Sequence, residues 1–179
     1  MAVNFYGNIE KLEDGAKNTT KIVISGSSNN MSKLYKAIHD LKVEGTVNIL
    51  IESAQIKYAV QQDVETGEPQ MKYVQRSDGE WYAEEVGTTG LDLGMANTVS
   101  KDFEVSADIV DDFLLAEKYQ VDEFDPKPII YKLSEGYNLD EIAKEAGMAS
   151  IEIINKLNEA RQKFAPYAVT WAKNKESEK

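Results

Sequence analysis

The stretch EGYNLDEIAKEAGMASIEIINKLNEARQKF, residues 135–164, decides how the C-terminal part of this chain is read. Its apolar residues recur at helical spacing in two runs separated by a glycine. In LDEIAKEA (139–146), Leu139, Ile142, Ala143 and Ala146 share one face. In SIEIINKLNEARQKF (150–164), Ile153, Leu157, Ala160 and Phe164 do the same, and Ser150 stands where an N-cap is expected. Gly147 lies between the runs, where a left-handed turn residue costs glycine least. Upstream, PIIYKLSE (128–135) supplies apolar Ile129, Ile130 and Leu133, and Gly136 ends that run. The spacing predicts three helices in a domain spanning 128–172 that closes a core of its own, followed by a charged tail over 173–179.

Gly136, Ile142-Ala143, Gly147, Ile153, Leu157 and Phe164 together resemble the helix-turn-helix of LuxR-type and sigma-factor-like regulators. The same segment is similar to the small N-terminal helical module of bacterial translation initiation factor 2. The first resemblance implies a third helix that enters the DNA major groove. Asn155 and Asn158 would then read adenine edges, and Lys156, Arg161 and Lys163 would touch phosphates. The outer face departs from that pattern. From Ile151 to Glu159 its only basic residue is Lys156, and Ile151 and Ile154 stand where a DNA reader is polar. Those two isoleucines point instead to a protein interface.

Charge sharpens the conflict. The 179 residues carry a formal net charge of -11. Residues 1–60 and 126–179 are each at +1, whereas 61–125 hold 4 Lys/Arg against 17 Asp/Glu. A phosphate-binding surface spread over the whole protein is excluded, and a local one at either end is not.

The N-terminal half alternates as strands do. NFYGNIEKLEDG (4–15) and TKIVISGSS (20–28) precede a helix over NNMSKLYKAIHDLKVEG, with Met31, Leu34, Tyr35, Ile38 and Leu41 on one face and Asn30 as its cap. TVNILIE (46–52), AQIKYAVQQD (54–63), QMKYVQR (70–76) and EWYAEEV (80–86) read as further strands. The Asp-Gly of RSDGEW and the longer DVETGEP link predict hairpins. Residues 1–86 are thus expected to form an antiparallel β-rich domain with one helix. Its strand order resembles small OB-like sheets of phage and bacterial single-strand-binding proteins. Lys57, Tyr58, Lys72, Tyr73, Arg76, Trp81 and Tyr82 interleave cations with rings, as single-strand binders do. Tyr58, Tyr73 and Trp81 equally suit cross-strand or core pairs.

The acidic middle, 87–127, reads as a glycine-rich loop (GTTGLDLGMANTVS), an acidic helix and a Pro-containing linker. The helix, VSADIVDDFLLAEKYQ, is capped by Ser106, with Ile109, Val110, Phe113 and Leu114 inward. Asp108, Asp111 and Asp112 fall on one helix face, which reads as solvated rather than metal-binding. Asp122, Glu123 and Asp125 read as linker charges. Carboxylates so concentrated can also mimic nucleic acid and block a partner's phosphate groove.

Cysteine is absent, and the one histidine, His39, has no nucleophile or metal partner near it in sequence. The glycine-rich loop lacks the Lys-Ser/Thr of a phosphate-binding P-loop. No catalytic set, metal site or cofactor is expected. The start MAVNFYGNIEKLED has no signal-peptide pattern, and no run approaches the about 18 apolar residues of a membrane span. The expectation is an α+β, soluble, cytoplasmic, non-enzymatic protein that binds nucleic acid or serves DNA metabolism. Its character resembles small phage and prophage proteins of replication, recombination or regulation, which implies the host cytoplasm. An acidic inhibitor or adaptor acting on a nucleic-acid-binding protein is the alternative. A structural assembly protein, homo-oligomeric through the exposed isoleucines, is the third reading.

Overall fold

Gly147 has φ 67° and ψ 28°, the left-handed conformation its position demands, between helices Leu139–Ala146 and Ser150–Ser177. The computed structural model describes residues 7–15, 19–26, 28–45, 49–86, 98–121 and 123–177. Phe5, residues 46–48 of the expected TVNILIE strand, the loop 87–97 and Asp122 lie outside the described residues. So do the side chains of Asn30, Met31 and Leu34. The fold is α+β, and the chain divides into two units, Met1–Ile51 and Glu52–Lys179.

In the first unit, β1 (Gly7–Gly15) and β2 (Thr19–Gly26) form an antiparallel pair running from Gly7 opposite Gly26 to Gly15 opposite Thr19. Leu12 faces Ile22 and Ile9 faces Ile24, so the apolar residues pair across strands as their spacing requires. Helix α1 (Ser28–Glu44) follows, with the His39 ring 6.4 Å from Tyr35. The expected strand over 46–52 is not formed by its described residues. Ile49, Leu50 and Ile51 are exposed and belong to no ladder, because a β-branched run makes a strand only where a neighbour accepts its hydrogen bonds.

The second unit opens with β3 (Gln55–Asp63), which pairs with β6 (Thr98–Ser106) without a break from Gln55 opposite Ser106 to Asp63 opposite Thr98. β4 (Met71–Gln75) and β5 (Glu80–Glu85) form the hairpin expected from Asp-Gly. Gly79 takes φ 85° in its turn, and Asp78 accepts from the Glu80 amide at 2.9 Å. The Asp63 carboxylate closes the other link by accepting the Thr66 and Glu65 amides, which holds its pKa below the ordinary value. The short β7 (Lys118–Tyr119) lies parallel to β5. Among the described residues the strands therefore share out among three small sheets, β1-β2, β3-β6 and β4-β5-β7.

Two expectations about the acidic stretch change. Val105 and Ser106 end strand β6 rather than beginning a helix, and helix α2 covers only Ala107–Ala116. Ser106 makes no side-chain cap bond. The ladder with β3 holds these residues extended, which outweighs their helical period.

Helices α3 (Lys127–Ser134), α4 (Leu139–Ala146) and α5 (Ser150–Ser177) follow. Asn138 caps α4 by accepting the Asp140 amide at 2.9 Å. Ser150, expected as the cap of α5, instead donates to the Asp140 carboxylate. The tail expected over 173–179 is helical through Ser177, steadied by the Lys175 ammonium 3.8 Å from the centre of the Trp171 ring.

The sequence boundaries near 86 and 128 cut through one continuous core. Ile56 and Trp81 from the sheets, Phe113 from α2, Ile130 from α3, Ile142 from α4 and Leu157 from α5 all belong to it. The three C-terminal helices do not close a core alone, because the second half of α5 spends Phe164, Ala168 and Trp171 on α2 and the sheets. Phe113 is the centre, its ring within 5.6–6.3 Å of Trp81, Tyr119, Trp171, Phe164 and Tyr167.

Burial raises the pKa of four tyrosines around this core, Tyr58, Tyr73, Tyr119 and Tyr167, above the ordinary 10.0. The unfolded chain then loses these protons first, so their contribution to stability is complete below pH 10.0 and falls as pH rises through the folded values. An alkaline titration is expected to show circular dichroism loss together with the ionisation of these four tyrosines, above the ordinary tyrosine range. Ionisation of all tyrosines at the ordinary value with the fold intact would contradict this.

Candidate functional site

The strand residues expected to bind single strands do not form one surface. Lys57 and Tyr58 lie on β3, in a different sheet from Lys72, Tyr73, Trp81 and Tyr82, and Arg76 follows β4 in the hairpin turn. Lys57 pairs with Glu104 at 3.5 Å, and Tyr58 stacks on Phe103 with centroids 5.8 Å apart. Tyr73 is half-buried against Tyr167 at 4.6 Å. Trp81 is 3% exposed, so no base can stack on its face. Lys72 is exposed on β4. Arg76 and Tyr82 stay at the surface edge, the guanidinium carbon 4.3 Å from the ring centre.

The helix residues also divide. Ile151, Asn155 and Asn158 are exposed, and Ile154 is half-buried. Lys156 lies 3.8 Å from Glu152 one turn before it, and the Lys163 ammonium lies 5.3 Å from the Phe164 ring centre. Arg161 cannot serve as a phosphate contact. It is 4% exposed and gives two hydrogen bonds to Asp111, at 2.8 and 2.6 Å, and one to Glu52 at 2.8 Å. Asp111, expected on a solvated face, is thereby drawn inward. Desolvation acts first on both partners. It raises the Asp111 pKa, which Arg161 opposes only in part. On Arg161 desolvation pulls downward, and the two carboxylates more than reverse it, so the guanidinium stays charged.

Glu117 was legible in the sequence only as one acid among many. Its carboxylate accepts from both indoles, Trp171 at 2.6 Å and Trp81 at 3.3 Å, and from the Gln75 amide at 3.0 Å. Tryptophan N–H groups brought inside need an acceptor, and this carboxylate supplies it for two at once.

What remains of both sets meets at one place. A hollow of about 330 Å³ is lined by Arg76 and Tyr82 from the β4–β5 hairpin, Gln120 after β7, and Lys163, Phe164 and Tyr167 from α5. An adjoining hollow of about 370 Å³ shares Lys163 and Phe164, and adds Tyr119, Phe124, Lys156, Glu123 and Glu159. Among the described residues the first hollow has two cations and no carboxylate in its lining, in a protein of net charge -11. The second has two lysines balanced by two glutamates. The first suits an anionic group beside an aromatic one, and the second a neutral polar ring. Tyr119, Phe124, Gln120 and Tyr167 were not singled out in the sequence. Their signal was the aromatic spacing of Tyr119 and Phe124, and of Phe164 and Tyr167, which reads equally as core.

Among the described residues no group of three His, Cys, Asp or Glu is placed to hold a metal ion, and no helix is long and apolar enough to cross a membrane. No protein-family model matches this chain, and neither a curated protein nor a solved structure matches it.

Proposed function

We propose that the protein is a non-enzymatic nucleic-acid-binding accessory of DNA metabolism, acting in the cytoplasm of a cell that hosts a phage or prophage, and that it holds nucleic acid at the Arg76–Tyr82–Lys163 hollow. One observation carries the reading. Two cations and two part-exposed rings, Tyr82 and Tyr167, line a concavity without a carboxylate, although 31 of the 179 residues are acidic. Cations follow a phosphate backbone and rings take the faces of bases. The contact is small, so its electrostatic share is small. With two phosphate contacts the salt dependence for a single strand has a log–log slope of about −1.4.

Fluorescence anisotropy of labelled single-stranded, duplex and RNA oligonucleotides across salt concentrations tests it. Arg76→Ala/Lys163→Ala is expected to weaken binding at least about tenfold and to flatten the salt slope, since each phosphate contact releases counterions. The circular dichroism spectrum should not change, because neither side chain is buried. Absence of binding by the native protein to all three nucleic acids refutes the reading.

The second reading is an acidic adaptor that occupies the phosphate groove of a cationic partner. It is favoured by the charge of residues 61–125 and by Ile151, 64% exposed at the start of α5. Assembly as a homo-oligomer through the same isoleucine is the third.

A further inference from the structure

We infer that the two adjoining hollows hold successive nucleotides of a single strand, and that the second selects bases carrying an exocyclic amino group, cytosine, adenine or guanine, over thymine. The inference rests on the nucleic-acid reading above and goes further in naming strandedness and base. The hollows, at about 330 and 370 Å³, lie at the lower end of the about 300–1,000 Å³ usual for small-ligand pockets. They are concave, and both are walled by Lys163 and Phe164. Bases enter concavities only when splayed from a stack, which a single strand permits and a duplex resists. The shared lysine places cationic charge between two bases, where the linking phosphate of a dinucleotide lies.

The linings differ in the way that matters for base choice. Glu123 and Glu159 in the second hollow are acceptors with no proton to give when ionised. A cytosine, adenine or guanine amino group donates to such a carboxylate. Thymine offers a carbonyl oxygen at the corresponding position and meets acceptor with acceptor. The same glutamates repel phosphate, which steers the backbone to Lys163 and Arg76 and the base inward. Tyr119 and Phe124 supply the ring faces.

The test compares short oligo-dC, oligo-dA and oligo-dT and a mixed duplex by anisotropy, with native protein and Glu123→Gln/Glu159→Gln. Native protein is expected to prefer oligo-dC and oligo-dA to oligo-dT by about tenfold, within the range of one good base contact, and to bind duplex weakest. In the variant the preference should fall toward parity, because an amide can also donate to the thymine carbonyl. Glutamates that merely repelled phosphate would raise all three affinities together and leave the ratio unchanged, which overturns the inference. Equal affinity of the native protein for all three, or a preference for duplex, overturns it too while leaving the broader reading standing. Failure of every oligonucleotide to bind refutes both.

Discussion

Phe113→Ala is expected to destabilise the unit Glu52–Lys179 by about 3–5 kcal/mol, enough to consume much of the stability of an ordinary domain. The ring is fully buried and lies within 5.6–6.3 Å of five other rings. Those rings come from β5, β7 and α5, so they cannot collapse into the space together without moving separate elements. The edge-on contacts with Trp81 and Trp171 add an aromatic contribution that an aliphatic replacement loses. Phe113→Leu should therefore recover only part of the loss. Urea unfolding followed by tryptophan fluorescence measures it, since both tryptophans touch the substituted ring. A loss below about 1 kcal/mol, the size of an ordinary surface-to-intermediate substitution, would mean that Phe113 is not the centre of the core.

Arg161→Met is expected to cost a similar amount, about 3–5 kcal/mol, by leaving the part-buried Asp111 without its partner. The native arrangement is a charge triad in which Asp111 takes two bonds from the guanidinium and Glu52 one. Glu52 is the more exposed carboxylate and can turn to water, whereas Asp111 is held on α2 against the core. Replacing both partners, Arg161→Met with Asp111→Leu, should restore most of the loss, because no charge is then stranded. The pH dependence follows from the direction of the Asp111 shift. Burial raises its folded pKa, so without Arg161 the site is tolerated best when the carboxyl is protonated. The deficit of the single variant relative to native should be smallest below the native folded value, which already lies above the ordinary 3.8, and be fully expressed only above the still higher value that Asp111 takes once Arg161 is gone. A deficit independent of pH, undiminished in the double variant, would show that the cost lies in packing and not in a stranded charge.

Much of the local structure of this chain was legible from short-range rules, although the caps expected at Ser106 and Ser150 were not. Helical period located α4 and the start of α5, and the requirement for a left-handed residue located Gly147. Asp-Gly located the β4–β5 turn, and Ile109, Val110, Phe113 and Leu114 marked the inward side of α2. Each of these depends on residues within a turn or two of one another. Which of those elements share a core, and which side chains remain outside it, depends on long-range packing. β6 was hidden because its pairing partner, β3, lies on the far side of the β4–β5 hairpin, and extended residues next to a helical run carry no period of their own long enough to be seen. Arg161 looked like a phosphate ligand because its partners are 50 and 109 residues away, at Asp111 and Glu52. Trp81 looked like a stacking platform because alternation along a strand says which residues share a face, not which face is covered. The candidate site was half legible for the same reason. Arg76, Tyr82, Lys156 and Lys163 were each named from their chemistry, yet they came from two separate expectations. Their meeting is set by β5, β7 and α5 packing around Phe113, a long-range arrangement that no local pattern specifies.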